Sequence, residues 1–431
     1  MSDIAAVATE RYRLIAASGE QSLENWCYKE VTHTWLGVTC RFGLSHAAFS
    51  SDRIDDGSKL LLDAIASRIE ARKRWAGCTV YDIGCGVGVL GIAAAASLGA
   101  ARLILEDRDS FSVALSCLNA WKNRLAADVI PNPAPTGVRS FAPAGLVLCN
   151  LPAKAGGEVH RMMLEHAVSH LSTDGMAGVV VVHPLAAAVE KVLTGLSLHV
   201  ERRDSSGHAV FILRHSEAGV HQNGGESRHK ASDAPNEVAA RPLPHVYIGT
   251  TARFQLSKTS YSLTPVEGLP EFDGPSYMTR MLIKLGLDYG TNRPVLAVDN
   301  GPGHLAAVLS RRSSAVCCAS RSALAAYAHE QLVFAAKRNK ERHVVLTERP
   351  GLLAPYVPEQ GLLVLPVVPD AYTPVFDELL ELFEQVRARG SQCIVAGNSS
   401  TISRLEKLKI PLSIRRRAKS RGVRGLILEP S

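Results

Sequence analysis

Thr79-Val80-Tyr81-Asp82-Ile83-Gly84-Cys85-Gly86-Val87-Gly88-Val89-Leu90-Gly91 decides the fold of this 431-residue chain. The run opens with β-branched and aromatic residues, the composition of a buried strand. It then passes through alternate glycines into the Ala-rich segment from Ile92 to Leu98, which reads as helix. Glycines at such a turn let the backbone pass close under a ligand, and the helix N-terminus beyond them offers free N–H groups. Gly86 to Gly91 also fits the dinucleotide pattern G-x-G-x-x-G, which is weakly specific on its own. Asp82 gives the direction. A carboxylate two residues before the first glycine repels a pyrophosphate but suits a ligand carrying an ammonium and a sulfonium, such as S-adenosylmethionine. The plain alternative is a tight turn with no ligand, and the aspartate weighs against it.

Downstream, the strand Ala101–Asp107 ends on acid, at a spacing from Gly84 that suits a carboxylate accepting hydrogen bonds from ribose hydroxyls. A helix follows through Asn119 to Lys122. The proline-rich stretch from Asp128 to Pro143 is read as holding a short third strand around Gly137–Phe141. Gly145 to Asn150 is another buried strand, closed by Asn150-Leu151-Pro152-Ala153. Helix, Val-rich strand and helix alternate again, and Leu196–Arg203 with Ala209–Arg214 forms a terminal antiparallel hairpin. The pattern predicts an α/β doubly wound sheet with one reversed edge strand. Upstream, an irregular hairpin turns about Gly37. Phe49-Ser50 then leads to Asp55-Asp56-Gly57-Ser58, where either aspartate can cap the helix Lys59–Ile69.

Residues 216–242 are polar and without periodicity, a linker between 1–215 and 243–431. The third part repeats the first in worn form. Phe272-Asp273-Gly274 echoes Asp55-Asp56-Gly57, and Asp299-Asn300-Gly301-Pro302-Gly303 echoes Asp82 to Gly86. Asp56 precedes Asp82 by 26 residues, and Asp273 precedes Asp299 by the same 26. Leu305 then takes the place of Gly88, the strand Ala315–Ser320 ends without an acid, and Leu363 to Asp370 has no asparagine. This half reads as a duplicated fold that has lost the cofactor.

Composition fits two or three soluble domains. Apolar runs such as Val179–Val182 are soon interrupted, here by His183 and Pro184, so no segment is expected to span a bilayer. The N-terminal residues lack an apolar signal core, and the nine cysteines include no C-x-x-C pair, as befits free thiols in a reducing cytoplasm. No metal site is expected, and a monomer is plausible. The net charge of +7 is uneven: residues 1–215 carry 21 basic and 21 acidic side chains, whereas 243–431 carry 24 and 16. The excess includes Arg415, Arg416, Arg417, Lys419 and Arg421 near the C-terminus. A solvated basic edge accounts for that run alone; the asymmetry of the whole half favours nucleic acid.

These residues together resemble the class I methyltransferases of the ribosomal RNA small-subunit guanine-N2 methyltransferase C type. The matching motifs are Phe49-Ser50, Asp55-x-Gly57-Ser58, Asp82 to Gly88, Asp107 and Asn150-Leu151-Pro152. The resemblance implies two Rossmann-like class I methyltransferase domains, each a seven-stranded mixed sheet, one catalytic and one degenerate. It implies S-adenosylmethionine held by Asp82, Gly84, Gly86, Gly88 and Asp107, catalysis at Asn150, Leu151 and Pro152, and an RNA partner. The family places its degenerate copy first, whereas the first copy here keeps the motifs. The family's Asn-Pro-Pro-Phe appears as Asn-Leu-Pro-Ala, and Ala153 cannot stack on a base.

Methyl transfer from a sulfonium is an in-line displacement, so alignment carries most of the catalysis. The Asn150 side-chain oxygen and the Leu151 carbonyl can accept the two N–H groups of an exocyclic base amine and direct its lone pair, with Pro152 fixing the backbone. An RNA base must be single-stranded or flipped out to reach such a site. An acceptor on a protein glutamine amide or a small molecule stays open, as does a binding module without catalysis.

Overall fold

The computed structural model describes Tyr12, Ile15 and residues 19–49, 52–69, 75–132, 143–205, 207–216, 244–256, 259–289, 291–334, 342–368 and 374–431. It divides into two compact units, Met1–Arg108 with Ser112–Arg241, and Asp109–Phe111 with Pro242–Ser431.

In the first unit a hairpin of β1 (Lys29–Trp35) and β2 (Val38–Leu44) precedes the sheet. The sheet strands are β3 (Thr79–Ile83), β4 (Arg102–Asp107), β5 (Ala127–Pro131), β6 (Ala144–Asn150), β7 (Leu171–Val182), β8 (Leu198–Asp204) and β9 (His208–His215). They lie in the order β5-β4-β3-β6-β7-β9-β8. Neighbours from β5 through β7 are parallel, and β9 runs antiparallel to both β7 and β8. The third strand thus falls at Ala127–Pro131, next to β4; residues 137–141, expected to hold it, lie outside the described residues. The linker expected at 216–242 also lies outside them, apart from Ser216.

The helix Val89–Leu98 is apolar on nearly every side and buried except at Ala96. A helix without a polar face must be covered all round. Here β3 and β4 cover one side and the β1–β2 hairpin the other, and the Ser97 hydroxyl donates to the Trp35 carbonyl at 2.9 Å. The hairpin is fastened by two asparagines, Asn119 on the helix Ser110–Lys122 and Asn123 just past its end. Asn119 Oδ1 accepts from Gly43 N at 2.8 Å and its Nδ2 donates to Gly43 O at 3.2 Å; Asn123 pairs likewise with Arg41 at 2.9 and 2.7 Å. Residues i and i+4 of a helix stand about 6 Å apart and residues i and i+2 of a strand about 6.8 Å, so the two ladders mesh.

The second unit repeats this plan. A hairpin of β10 (Ala252–Leu256) and β11 (Thr259–Leu263) precedes β12 (Val295–Val298), β13 (Val316–Ser320), β14 (Arg342–Leu346), β15 (Leu362–Pro366), β16 (Gln392–Asn398), β17 (Ser413–Ser420) and β18 (Val423–Glu429). Their order is β14-β13-β12-β15-β16-β18-β17, the first sheet strand for strand. Its core gathers Leu282, Ile283, Leu285, Ala297, Leu305, Val308, Val364, Ile394 and Ile427 around the sheet. Among the described residues no helix is long and apolar enough to cross a membrane, and no group of three or more His, Cys, Asp or Glu is placed to hold a metal ion.

Candidate functional site

The site of the first unit lies at the C-terminal ends of β3, β4 and β6, where ligands bind in open α/β sheets. Gly84, Gly86 and Gly88 adopt φ of +71°, +55° and +86°, a region that disfavours any side chain. They differ in what surrounds them. A Cβ on Gly88 would stand 2.7 Å from Ile92 Cδ1, so this glycine serves packing at the helix cap. A Cβ on Gly86 would meet nothing within 4 Å. Its backbone borders open space, as a loop passing under a ligand requires.

Asp82 is fully buried, with Oδ2 accepting from Gly91 N at 2.8 Å in the first turn of the helix. Its Oδ1 is buried with no hydrogen-bond partner among the described residues. Burial pushes the Asp82 carboxyl up to about 7, the charge of Asp107 adds to this, and the Gly91 bond opposes it. Asp107 Oδ2 accepts from Gly86 N at 3.0 Å, so the second acid also holds the loop. Below it, buried Glu106 accepts from the Tyr81 hydroxyl, which lies 2.8 Å from His166 Nε2. Burial raises the Glu106 carboxyl, but bonding and charge from His166, with the Tyr81 bond, outweigh it and leave the group below its usual range. Cys85, inside the loop, is buried and pushed well above the ordinary thiol value by desolvation, so it is no nucleophile.

At the end of β6, Asn150 Nδ2 donates to Asp55 Oδ1 at 3.0 Å and to Ser58 Oγ at 3.3 Å. Asp55 Oδ1 also accepts from Ser58 N at 2.9 Å, capping the helix Asp56–Ala66. Of the two aspartates open to that role, Asp55 fills it. The Asp55-x-Gly57-Ser58 motif therefore orients the Asn150 amide, fixing its nitrogen inward and directing Oδ1 the other way. The turn beyond is pinned by Leu151 N donating to Val180 O at 2.9 Å and by His160 Nε2, 2.8 Å from Pro152 O.

Sequence reading missed Asn119 and His160. Asn119 Nδ2 also donates to Val87 O at 2.9 Å, tying the glycine loop to the hairpin. Its signal was present: an asparagine inside a helix is a poor helix former and wants a reason. His160 gave no such signal, since only the return of the helix Gly157–Ser169 brings it to Pro152.

In the second unit Asp299 accepts from Gly301 N and Leu305 N, both at 2.9 Å. Spacing aligned Gly303 with Gly86, but Gly303 is the helix cap, as Gly88 is in the first unit. Asp299 lies four residues before its cap and Asp82 six, so the second loop is shorter. It is also filled. A Cβ on Gly303 would stand 2.6 Å from Val333 Cγ2 and 3.1 Å from His329 Cδ2, and His329 Nε2 lies 3.0 Å from Gly301 O.

The C-terminal arginines lie on β17, the edge strand of the second sheet, and they are paired more fully than the single Glu406 in their run suggested. Arg415 meets Glu429 at 2.9 Å, Arg416 meets Asp288 at 3.5 Å and Arg417 meets Glu406 at 2.6 Å. Glu429 comes from β18, just beyond the run, and Asp288 from the helix Tyr277–Tyr289, 128 residues from Arg416. These pairs are largely exposed and hold the side chains only weakly. Arg421 lies over the Tyr277 ring, 4.9 Å from its centre.

Comparison with known proteins agrees with this geometry. Residues 39–204 match the family model described as methyltransferase small domain. The ribosomal RNA small subunit methyltransferase C of Ectopseudomonas mendocina is 34% identical over 133 residues, which are 30% of this chain and 37% of that protein. The chain thus spans little more than a third of the length of that relative. The uncharacterized protein YbxB of Bacillus subtilis is 27% identical over 155 residues, covering 35% of this chain and 74% of its own. Among solved structures, the T. thermophilus 16S rRNA N2 G1207 methyltransferase, solved in complex with AdoMet and guanosine, superposes with a TM-score of 0.60. It covers 95% of this chain and 100% of its own at 16% identity, a likeness of fold over both units. Within the first unit, residues 39–204 are thus similar to the methyltransferase small domain.

Proposed function

We propose that this chain is an S-adenosylmethionine-dependent N-methyltransferase acting on an exocyclic amine of an RNA base, with guanine N2 of ribosomal RNA the first candidate. The observation that carries the reading is the Asn150 amide, turned by Asp55 and Ser58 so that its oxygen is the free end, beside a glycine loop open at Gly86. The cofactor fits the residues present. The unpartnered Oδ1 of Asp82 suits its cationic end, Asp107 its ribose, and Gly84, Gly86 and Gly88 its passage along the backbone. When bound, S-adenosylmethionine supplies an electrophilic methyl group on sulfur. Asn150 Oδ1 and the Leu151 carbonyl hold the two amine hydrogens and aim the nitrogen lone pair, and Pro152 keeps the turn rigid. Transfer would form the nitrogen–carbon bond as the carbon–sulfur bond breaks, with a neutral thioether leaving and one proton passing to water, so no strong base is required. Phe49, 73% exposed on the segment leading into Asp55, gives the acceptor an aromatic face that Ala153 lacks.

Residues 1–215 are assigned the chemistry, 216–242 a linker, and 243–431 a degenerate copy that serves as an RNA platform through Arg415, Arg416, Arg417, Lys419 and Arg421. A lysine- and arginine-bearing edge strand protects a sheet from pairing with another chain, which is reason enough for some charge on β17. The counterpart strand β8 achieves this with a balanced Glu201, Arg202, Arg203 and Asp204. The single sign on β17 is therefore surplus to edge protection and suits phosphate. A protein glutamine or small-molecule acceptor is the second reading, favoured by Ala153. Incubating the chain with methyl-labelled cofactor and total cell extract decides between them. Label should enter RNA and vanish with ribonuclease; label in protein or in a small molecule would overturn the RNA assignment.

A further inference from the structure

The strand register identifies what the second unit has put in place of the acceptor site. In the first sheet Asp82 pairs with Leu148, two residues before Asn150. In the second, Ala297 pairs with Val364; carried on in register, Asp299 stands level with Pro366 and Val368 takes the place of Asn150. The place of Asp55 at the helix cap is taken by Ser276, whose Oγ accepts from Thr279 N at 3.2 Å, and Phe272 lies on the segment leading into it. The asparagine of the first unit is thus an apolar residue in the second, Val368, which is 66% exposed, and Phe272 is 45% exposed. Tyr277, 50% exposed, begins the helix that follows, and Arg421 lies over its ring and donates to its hydroxyl. Three of the four exposed large hydrophobic side chains among the described residues of this unit belong to this one sheet end.

Exposed aromatic and aliphatic side chains grouped in this way mark an interaction surface. Arg421 has φ of +47°, in the left-handed region where a turn ordinarily carries Asn or Gly, so its side chain holds a position the backbone does not favour. Lys419, on the edge strand just before this turn, adds a second cation. Aromatic faces combined with cations, without a pair of hydrogen-bonding groups to read a base edge, are the chemistry of sequence-tolerant single-strand binding.

Resting on the RNA reading above, we propose that Phe272, Tyr277, Val368 and Arg421 form a second RNA site, which stacks unpaired bases without chemistry. With His329 and Val333 filling the neighbouring loop, this end of the sheet has lost the cofactor and kept a surface for the nucleic acid.

The test uses the full chain and a fluorescent single-stranded RNA of mixed sequence, followed by anisotropy across a salt series without cofactor. Phe272→Ala should weaken binding about five- to a hundredfold and leave the log–log salt slope unchanged, because stacking releases no counterions. Arg421→Ala should weaken binding and also flatten the slope by about 0.7. Equal affinity for the parent and Phe272→Ala, with matching melting temperatures, overturns the stacking site, as does a parent chain that binds no RNA. Loss of self-association in Phe272→Ala, with RNA affinity intact, would assign the patch to protein instead and overturn it too. Methyl transfer is read separately: an active parent with a silent Phe272→Ala effect sinks this site alone, whereas Phe272-dependent binding without any methylation sinks the enzyme reading alone.

Discussion

Asn150 is proposed to serve the acceptor and Asp82 the cofactor, and single substitutions separate the two roles. Asn150→Ala should bind S-adenosylmethionine nearly as well as the parent and turn over at least about tenfold more slowly, because its oxygen is the end assigned to the proposed acceptor. Steady-state kinetics beside calorimetry checks this; full activity, or an unfolded chain, would reduce Asn150 to a turn residue. Asp55→Ala should repeat the loss of turnover through the freed amide and also lower stability by about 1 kcal/mol through the lost cap. Asp82 responds to pH. Its carboxyl is raised from 3.8 to about 7, so across that window the folded chain keeps a proton the unfolded chain releases, and its contribution to stability falls as pH climbs. A cation set beside Oδ1 favours the ionised form, so cofactor affinity should rise with pH up to about 7 and binding should release protons. Calorimetry in buffers of different ionisation enthalpy reads that release directly, and Asp82→Asn should abolish it. Glu106 carries the other sign. Its lowered carboxyl stabilises the fold at neutral pH, and that stability is lost as acid protonates it.

At the scale of the strand–loop–helix element, the glycines should divide by role. Gly88→Ala forces a side chain into the left-handed region and against Ile92, which should lower stability by about 1–3 kcal/mol in a urea titration. Gly86→Ala meets the same backbone strain without a collision, but its methyl enters the open space below the proposed ligand. Its cofactor affinity should fall by more than its stability predicts. If both variants lose affinity only in proportion to stability, the space under Gly86 is not the ligand path. Asn119→Ala tests the fastening of the loop from behind: hairpin and loop lose a shared partner, and buried Gly43 and Val87 groups go unpaired, at about 1–3 kcal/mol each.

For the whole molecule, calorimetry should count one cofactor per chain, since the Asp299 loop is short and filled by His329 and Val333. A count of two would return the second unit to the cofactor-binding class. Replacing Arg415, Arg416 and Arg417 by Ala should weaken RNA binding across sequences and lower the salt slope by about 0.7 for each phosphate no longer neutralised, without altering cofactor affinity. An unchanged slope would leave those arginines to their carboxylates and to edge protection.

The sequence by itself determined the duplication, the glycine loop with its aspartate and the strand ending at Asn150. Each is written locally, in hydrophobic period, turn glycines and the equal 26-residue spacings. Two strand-for-strand sheets of identical order follow from that repetition. What only the tertiary structure decided is which atoms face which. The partnership of Asn150 with Asp55 and Ser58 spans more than 90 residues, and the pairing of Arg416 with Asp288 spans 128. Neither leaves a local trace. The third strand was misplaced because proline-rich composition hides the short, half-exposed Ala127–Pro131, which becomes a strand by pairing with β4. The shortened second loop was invisible for a similar reason. Spacing counts residues, whereas the position of a helix cap is set by where the backbone turns left-handed, and at Gly303 the fold places that turn two residues earlier than in the first unit.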